Sequence, residues 1–272
     1  MKLHVSHSSS YRFDPPTRGV VQSLRLTPSQ FDGQIVRHWS VTVAGAEMGA
    51  AFRDGAGDWL QTVAMLGPVA EMIVQVEGEI ETTDLAGVLK GHRESVPPLC
   101  YLRSTRATRP DKALRLLSEK VFADNAGATP LEQAHALSGA VADAIAYRPG
   151  ETHAHTTAAE ALSLGLGVCQ DHAHALISVA LAAEMPARYV TGYLHSTEDG
   201  LAHEASHAWA EIHVDGLGWV GFDPSNRCCP DERYIRLGSG YDATDAAPIR
   251  GIAKGGGDES LKVSVAVQQV AQ

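Results

Sequence analysis

The spacing of apolar residues changes near residue 95 and divides the chain into two parts. In residues 1–95, apolar and polar side chains alternate in short runs, as in Ile73-Val74-Gln75-Val76-Glu77. A period of two is typical of half-buried strands. The pattern predicts strands over residues 2–13, 20–27, 35–43, 59–66 and 71–83, separated by Asp14-Pro15-Pro16, Asp32-Gly33, Asp54-Gly55 and Gly67-Pro68. Several short strands with frequent turns predict a β-sandwich-like or barrel-like N-terminal domain.

Helical spacing begins after Pro97-Pro98, a pair that excludes a helix and marks a linker. Apolar residues recur every three or four positions over residues 110–122 and 169–184. Thr129 and Thr157 each stand three residues before a glutamate, which is the capping-box signature of a helix start. These two helices are expected to run to about residue 147 and to residue 165. The sequence therefore predicts an α+β protein with two domains, residues 1–95 and 96–272.

Strand spacing returns in the last third of the chain. Residues 187–194 are typical of a strand, and residues 206–214 alternate strictly. Asp215-Gly216-Leu217-Gly218 predicts a hairpin turn, followed by a return strand over residues 219–222. A final alternating stretch predicts a strand over residues 261–270. We expect the core to consist of helices packed on an antiparallel sheet.

The bulk composition restricts the class of partner. The 272 residues carry a net charge of −10, which argues against nucleic acid or an anionic membrane as the main partner. The sequence contains no run of 18 apolar residues and begins with no apolar stretch typical of a secretory signal. Its four cysteines are too few for a disulfide framework. We therefore expect a cytoplasmic protein with reduced thiols and no nucleic-acid or membrane partner.

Cys169 is the candidate nucleophile because it opens the predicted helix 169–184, directly after Gly165-Leu166-Gly167-Val168. The unpaired N–H groups and the dipole at a helix N-terminus favour thiolate over thiol. Thiolate is the nucleophilic form of cysteine. The alternative is that Cys169 is a small buried side chain, as most cysteines are.

His207 and Asp223 are the candidate base and orienting acid. Each stands eight residues from Asp215, at the predicted turn. On paired strands they would be direct or diagonal neighbours on one face, within reach of an imidazole–carboxylate hydrogen bond. Such a carboxylate fixes the imidazole tautomer and stabilises imidazolium. With Cys169, these residues predict a Cys-His-Asp triad for acyl transfer. The Cys169 backbone N–H is a candidate oxyanion donor, and the sequence identifies no second donor.

Five motifs between residues 157 and 225 resemble the transglutaminase-like superfamily. They are Thr157-Ala158-Ala159-Glu160-Ala161-Leu162, Gly167-Val168-Cys169-Gln170-Asp171, Pro186-Ala187-Arg188-Tyr189-Val190-Thr191-Gly192-Tyr193, Ser206-His207-Ala208-Trp209 and Gly218-Trp219-Val220-Gly221-Phe222-Asp223-Pro224. More narrowly, the chain resembles bacterial members described as cysteine proteases, which have a β-rich N-terminal domain before a papain-like core.

This resemblance implies that Cys169 is the nucleophile, His207 the base and Asp223 the orienting acid of a reaction through a thioester. His172 departs from the pattern, since an aromatic residue such as phenylalanine is expected there. The resemblance does not settle whether water or an amine resolves the acyl-enzyme. The sequence has no D-x-[DN]-x-[DN]-G calcium loop, which disfavours calcium activation, and we expect hydrolysis of a peptide or amide substrate. Transfer to an amine, as in a transglutaminase, is the alternative. A peptide-binding module without turnover is a further alternative, which the complete triad disfavours.

A zinc site is the competing interpretation of the histidines. His203-Glu204-Ala205-Ser206-His207 matches the H-E-x-x-H signature of zinc proteases. That signature requires a helix, whereas the flanking residues here predict a loop and a strand. Four further histidines cluster in the sequence, His153, His155, His172 and His174, and such residues are more often solvated or packed. We therefore expect no metal and no cofactor.

Overall fold

The computed structural model describes residues 1–195 and 206–270 and confirms the α+β class. Its described part has a six-stranded and a four-stranded antiparallel sheet, a short parallel pair and four α-helices. In chain order the elements are β1 (Lys2–Leu24), β2 (Gln34–Val43), β3 (Glu47–Arg53), β4 (Trp59–Thr82), a 3-10 helix (Pro98–Leu102), α1 (Lys112–Asp124), α2 (Pro130–Ala144), β5 (Ala146–Tyr147), α3 (Ala158–Leu164), β6 (Leu166–Gly167), α4 (Cys169–Ala182), β7 (Ala187–Leu194), β8 (Ser206–Val214), β9 (Gly218–Phe222), β10 (Tyr234–Gly240), β11 (Ile249–Ala253) and β12 (Asp258–Gln269).

The N-terminal sheet is built around two long strands, β1 and β4, which pair with each other along most of their length. β12 and β11 pair with the two halves of β1, and β2 and β3 pair with the two halves of β4. Buried positions alternate with more exposed ones along the first half of β1 and the second half of β4, as predicted for half-buried strands. Side chains from both halves, including Leu3, Val20, Val63 and Met72, meet in one core.

Two predicted turns in this region are wrong. Asp14-Pro15-Pro16 and Gly67-Pro68 lie inside β1 and β4, where the pairing register shifts between Arg12, Thr17 and Gly19. Because the shift leaves residues without a cross-strand partner, the missing N–H of a proline costs no ladder hydrogen bond there. β3 was not predicted, because all seven of its residues are exposed and give no alternation.

The second sheet has the strand order β10-β7-β8-β9. β7 and β8 have the predicted bounds, and β9 begins one residue before the prediction. β10 was not predicted, since it ends in Leu237-Gly238-Ser239-Gly240 and all seven of its residues are buried. A strand buried on both faces shows no alternation of apolar and polar side chains.

The helices surround α4, which packs against β8 through a face that includes Ala208, Ala210 and Ile212. All residues of α4 from Asp171 to Ala180 are buried. The capping boxes predicted at Thr129 and Thr157 are confirmed. The longest helix, α2, has 15 residues, and within the described chain no helix is long and apolar enough to cross a membrane.

The N-terminal sheet and the second sheet share buried contacts. Tyr193, Ile235 and Leu237 from β7 and β10 lie in the same core cluster as the strands of the first sheet. β11 and β12 return to pair with β1, so residues 249–269 lie in the N-terminal sheet. The division of the chain into residues 1–95 and 96–272 stays a prediction.

Candidate active site

Local hydrogen bonds place Cys169 at the first position of α4. Gly165 adopts the left-handed conformation that ends α3, with φ of 65°. The Val168 N–H donates to Asp171 Oδ2 at 2.8 Å, and the Thr152 hydroxyl donates to the same oxygen at 2.6 Å. The Cys169 amide is one of the first-turn N–H groups that have no acceptor within a helix. The half-buried thiol therefore lies beside the positive end of the helix dipole.

His207 and Asp223 form a short hydrogen-bonded pair. His207 is the second residue of β8, and Asp223 directly follows β9. The observed register, with Ala210 opposite Phe222, makes the two residues diagonal neighbours. Nε2 of His207 lies 2.6 Å from Oδ2 of Asp223, and their side chains are 10% and 1% exposed. The hairpin parity thus brings the two predicted side chains together.

The thiol of Cys169 lies near enough to the imidazole of His207 to act on its pKa. Burial by itself would lower the pKa of His207, but the hydrogen bond to Asp223 and the interactions with Asp223 and Cys169 raise it to about 10. Burial would raise the pKa of Asp223, but the hydrogen bond and charge of His207, with further side-chain donors, lower it to about 2. At neutral pH the pair is therefore an imidazolium beside a carboxylate.

Three more side chains donate to Asp223. The Ser225 hydroxyl donates to Oδ1 at 2.6 Å, Asn226 Nδ2 to Oδ2 at 2.7 Å, and the Tyr234 hydroxyl to Oδ2 at 2.9 Å. Sequence reasoning missed these donors. Ser225 and Asn226 directly follow Asp223-Pro224, where aspartate commonly bonds to the residues of its own turn. No comparable signal marks Tyr234, which lies on the unpredicted strand β10.

The other polar residues of the His207 face have structural partners. Trp209 is 2% exposed and stacks on His207, with ring centroids 6.4 Å apart. Glu211 bonds with Arg188 and Arg236. Glu211 is thus neither an exposed strand residue nor a partner of His207.

His172, the departure from the expected aromatic residue, is buried beneath the start of α4. Its ring nitrogens lie 2.9 Å from the carbonyl oxygens of Val168 and Ile145. It therefore connects the end of α2 to the N-cap of α4.

The zinc interpretation requires His203 and Glu204, which lie outside the described residues. His207, the second histidine of that signature, lies on a strand, and its Nε2 is bonded to Asp223. The described residues contain no group of three or more histidine, cysteine, aspartate or glutamate side chains that could hold a metal ion.

A loop lies against the first turn of α4, since Gln170 Nε2 donates to the carbonyl oxygen of Ala154 at 3.2 Å. The same loop borders an open depression of about 570 Å³, lined by His153, His155, Arg106 and Glu151 among others. The lining of this depression includes none of Cys169, His207 and Asp223.

Two family descriptions match the chain. The bacterial transglutaminase-like N-terminal region matches residues 3–81, and the transglutaminase-like superfamily core matches residues 119–224. The second match spans the segment from α1 to Asp223 and the following proline.

Similar proteins include an uncharacterized protein of Mycobacterium leprae (strain TN), 28% identical over 99% of both chains. An uncharacterized protein of Mycobacterium bovis is 37% identical over 44% of this chain and 42% of its own. Among solved structures, a "putative cysteine protease" from Cytophaga hutchinsonii has a TM-score of 0.73 at 19% identity and covers 100% of this chain and 92% of its own. This last likeness shows that the fold is shared.

Proposed function

The chain belongs to the transglutaminase-like superfamily, and from this premise we propose that it is a cysteine-dependent enzyme that hydrolyses a peptide or amide bond. The observation that carries the proposal is the hydrogen bond between His207 and Asp223, with Cys169 near the imidazole at the N-terminus of α4. A nucleophile, a base and an orienting acid within mutual reach are the requirements for covalent acyl transfer.

In the acylation step, the Cys169 sulfur adds to the substrate carbonyl carbon, and the carbonyl electron pair moves to oxygen. The Cys169 backbone N–H, at the helix start, is a donor for that oxyanion. Collapse of the intermediate breaks the C–N bond. The amine leaves with the proton of His207 Nδ1, since Nε2 is held by Asp223. The product is a thioester on Cys169.

In the deacylation step, His207 is neutral and accepts a proton from water, and the resulting hydroxide adds to the thioester carbon. The C–S bond then breaks, which releases a carboxylic acid and returns the thiolate beside imidazolium. Asp223 holds the ring in one orientation through both steps and stabilises its positive charge.

The test measures release of aminomethylcoumarin from a library of tetrapeptide coumarins by the full chain under reducing conditions. We expect release by the wild-type protein and by Cys100→Ser, a matched change at an exposed thiol, and none by Cys169→Ser. Mass spectrometry should show an acyl adduct on the peptide that contains Cys169. Equal release by Cys169→Ser would contradict the proposal. Peptide binding by the wild-type protein without release or adduct would support a binding module instead.

The same assay with excess primary amine separates hydrolysis from amine transfer, because the amine would appear in the acyl product of a transglutaminase. We place the reaction in the cytoplasm, since all four cysteines are unpaired thiols. Recovery of the chain in the cytoplasmic fraction of fractionated cells would support that location.

A further inference from the structure

Tyr234 shares an acceptor with the imidazole of His207. It begins β10, separated from β8 by β7 in the sheet, and is 5% exposed. Its hydroxyl lies 2.9 Å from Asp223 Oδ2, the oxygen that lies 2.6 Å from His207 Nε2. One carboxylate oxygen therefore serves both the tyrosine and the histidine.

The hydroxyl proton of Tyr234 has one orientation that suits both of its hydrogen-bond partners, Asp223 and Cys228. Asp223 is ionised and can only accept, so the phenol proton is donated to it. The Cys228 sulfur lies 3.3 Å from the phenol oxygen. Burial raises the pKa of Cys228, so its thiol keeps its proton and donates to Tyr234. Burial and the charge of Asp223 raise the pKa of Tyr234, so its hydroxyl stays a donor.

The ring of Tyr234 also encloses the imidazole. Its centroid lies 5.8 Å from that of His207, at a 61° angle, and 5.5 Å from that of Trp209, at 85°. Trp209 stacks on His207 from a second side. These aromatic walls exclude water from the hydrogen bonds to Asp223 and so strengthen the field of each donor.

A hydrogen-bond donor to Asp223 weakens the hold of His207 on its proton. The positive end of the O–H dipole offsets part of the carboxylate charge that stabilises imidazolium, so the histidine releases its proton more readily. A general acid works best when its pKa lies near the working pH. Among the described residues, the titratable groups facing His207 are Cys169 from α4, Asp223 after β9 and Tyr234 from β10.

We propose that Tyr234 is a positioning residue that fixes Asp223 and limits its hold on the His207 proton, so that the proton can pass to the leaving amine. The role in turnover rests on the proposed function, whereas the effect on His207 does not. The test therefore follows His207 directly, by NMR titration of the ¹³C-histidine-labelled full chain, with the signal assigned by its loss in His207→Gln.

Tyr234→Phe removes the hydroxyl and keeps the ring. We expect the His207 titration midpoint to rise by about half to one pH unit, as fits the loss of one buried donor. With a cleaved peptide coumarin, kcat should fall about tenfold with KM unchanged, because Tyr234 has no contact with substrate in this proposal. Tyr193→Phe is the matched control, a buried tyrosine whose hydroxyl lies 2.7 Å from Nδ1 of His7. It should leave the His207 midpoint unchanged.

An unchanged or lowered midpoint in Tyr234→Phe would overturn the proposal, because looser packing alone weakens the His207–Asp223 pair and lowers the pKa of His207. Cys228→Ala is a second variant in case Tyr234→Phe does not fold. It removes the donor to the phenol, so it should raise the midpoint by a smaller amount, and no rise there would also count against the proposal. A raised midpoint in a protein that cleaves no peptide would uphold the effect on His207 and reject the proposed hydrolysis.

Discussion

Two ionic groups lie four residues apart on one face of β8 and differ in what surrounds them. His207 bonds Asp223, remains 10% exposed and faces the thiol of Cys169. Glu211 bonds Arg188 and Arg236, and both guanidinium groups are almost wholly enclosed. Under the proposed function, the first group lies beside the nucleophile and exchanges a proton with the substrate. The second group has no such neighbour.

The enclosed ionic group around Glu211 also includes residues from the N-terminal region and so links the two sheets. Arg236 of β10 also bonds Asp58, which precedes β4 in the N-terminal region, and Arg188 bonds Glu94. Buried charges of this kind are costly to desolvate and tolerate no missing partner. Under the proposed function, the same ionic chemistry serves catalysis at the partly exposed start of β8 and joins two sheets where it is enclosed.

Asp223→Asn should give the largest effect, and this effect is on turnover. The amide keeps the shape of the side chain but favours the wrong imidazole tautomer, a change that costs serine-protease triads about 10⁴-fold in turnover. We expect a loss approaching that size in a protein that still folds, with a lower thermal midpoint because the His207 imidazolium loses its buried charge partner. Unaltered turnover on a cleaved peptide coumarin would show that Asp223 only shapes the turn at Asp223-Pro224.

Asp58→Asn should act on stability and leave the chemistry intact. Arg236 would lose one of its two charge partners in an enclosed site and keep Glu211, and removing one member of a buried pair costs up to about 3–5 kcal/mol of unfolding free energy. Urea denaturation measures this loss. Glu81→Gln, which breaks the exposed pair with Arg37, is the control and should change little. If the Asp58→Asn protein were as stable as the control, the enclosed ionic group would have no structural role.

The same denaturation curves test the predicted division near residue 95. A single transition for the wild-type protein, lowered as a whole by Asp58→Asn, would mean that the two sheets unfold together. Two transitions, with proteolytic cleavage within residues 96–108, would support separate domains.

Cys169 should be alkylated by iodoacetamide about tenfold faster than Cys100, Cys228 or Cys229 at neutral pH. The helix N-terminus and the His207 imidazolium stabilise its thiolate, whereas burial raises the pKa of Cys228 and raises that of Cys229 to about 11. Peptide mass mapping across a pH series should show labelling of Cys169 under mildly acidic conditions, and less of it in His207→Ala. Equal labelling of all four thiols would show that Cys169 is an ordinary packed cysteine.

A chelator should change neither the labelling of Cys169 nor turnover. Loss of turnover with a chelator would support the zinc interpretation.

The smallest effect is a pH dependence of stability with opposite signs at two buried histidines. Because the pKa of His207 is raised in the folded protein, its protonation stabilises the fold. This contribution to the free energy of unfolding is complete below about pH 6.5, the pKa of histidine in the unfolded chain, and is lost as pH rises toward 10. Burial lowers the pKa of His7 to about 4, so its contribution is present above about 6.5 and is lost as pH falls toward 4. Each slope is at most about 1.4 kcal/mol per pH unit.

Urea curves for wild type, His207→Gln and His7→Gln measure both contributions. The difference in unfolding free energy between wild type and His207→Gln should shrink as pH rises from 6.5 to 10. The difference in unfolding free energy between wild type and His7→Gln should shrink as pH falls from 6.5 to 4. The same sign for both histidines would mean that Asp223 and Cys169 do not hold a charge on His207.

The sequence by itself determined the features that depend on near neighbours. Capping boxes at Thr129 and Thr157 and the glycine after α3 fix where helices begin and end, because their hydrogen bonds span three to five residues. Strict alternation on β8 and a tight turn were enough to place His207 and Asp223 on one face, because strand parity is fixed by counting.

Tertiary structure alone decided the partners that come from distant parts of the chain. Asp58 meets Arg236 across 178 residues, and the tail strands β11 and β12 join β1 at the other end of the sequence. Tyr234 reaches Asp223 from a strand with no alternation, and two prolines lie within β1 because the register shifts there. Such contacts depend on which buried surfaces meet after the sheets have packed. No local hydrogen bond or periodicity encodes that choice.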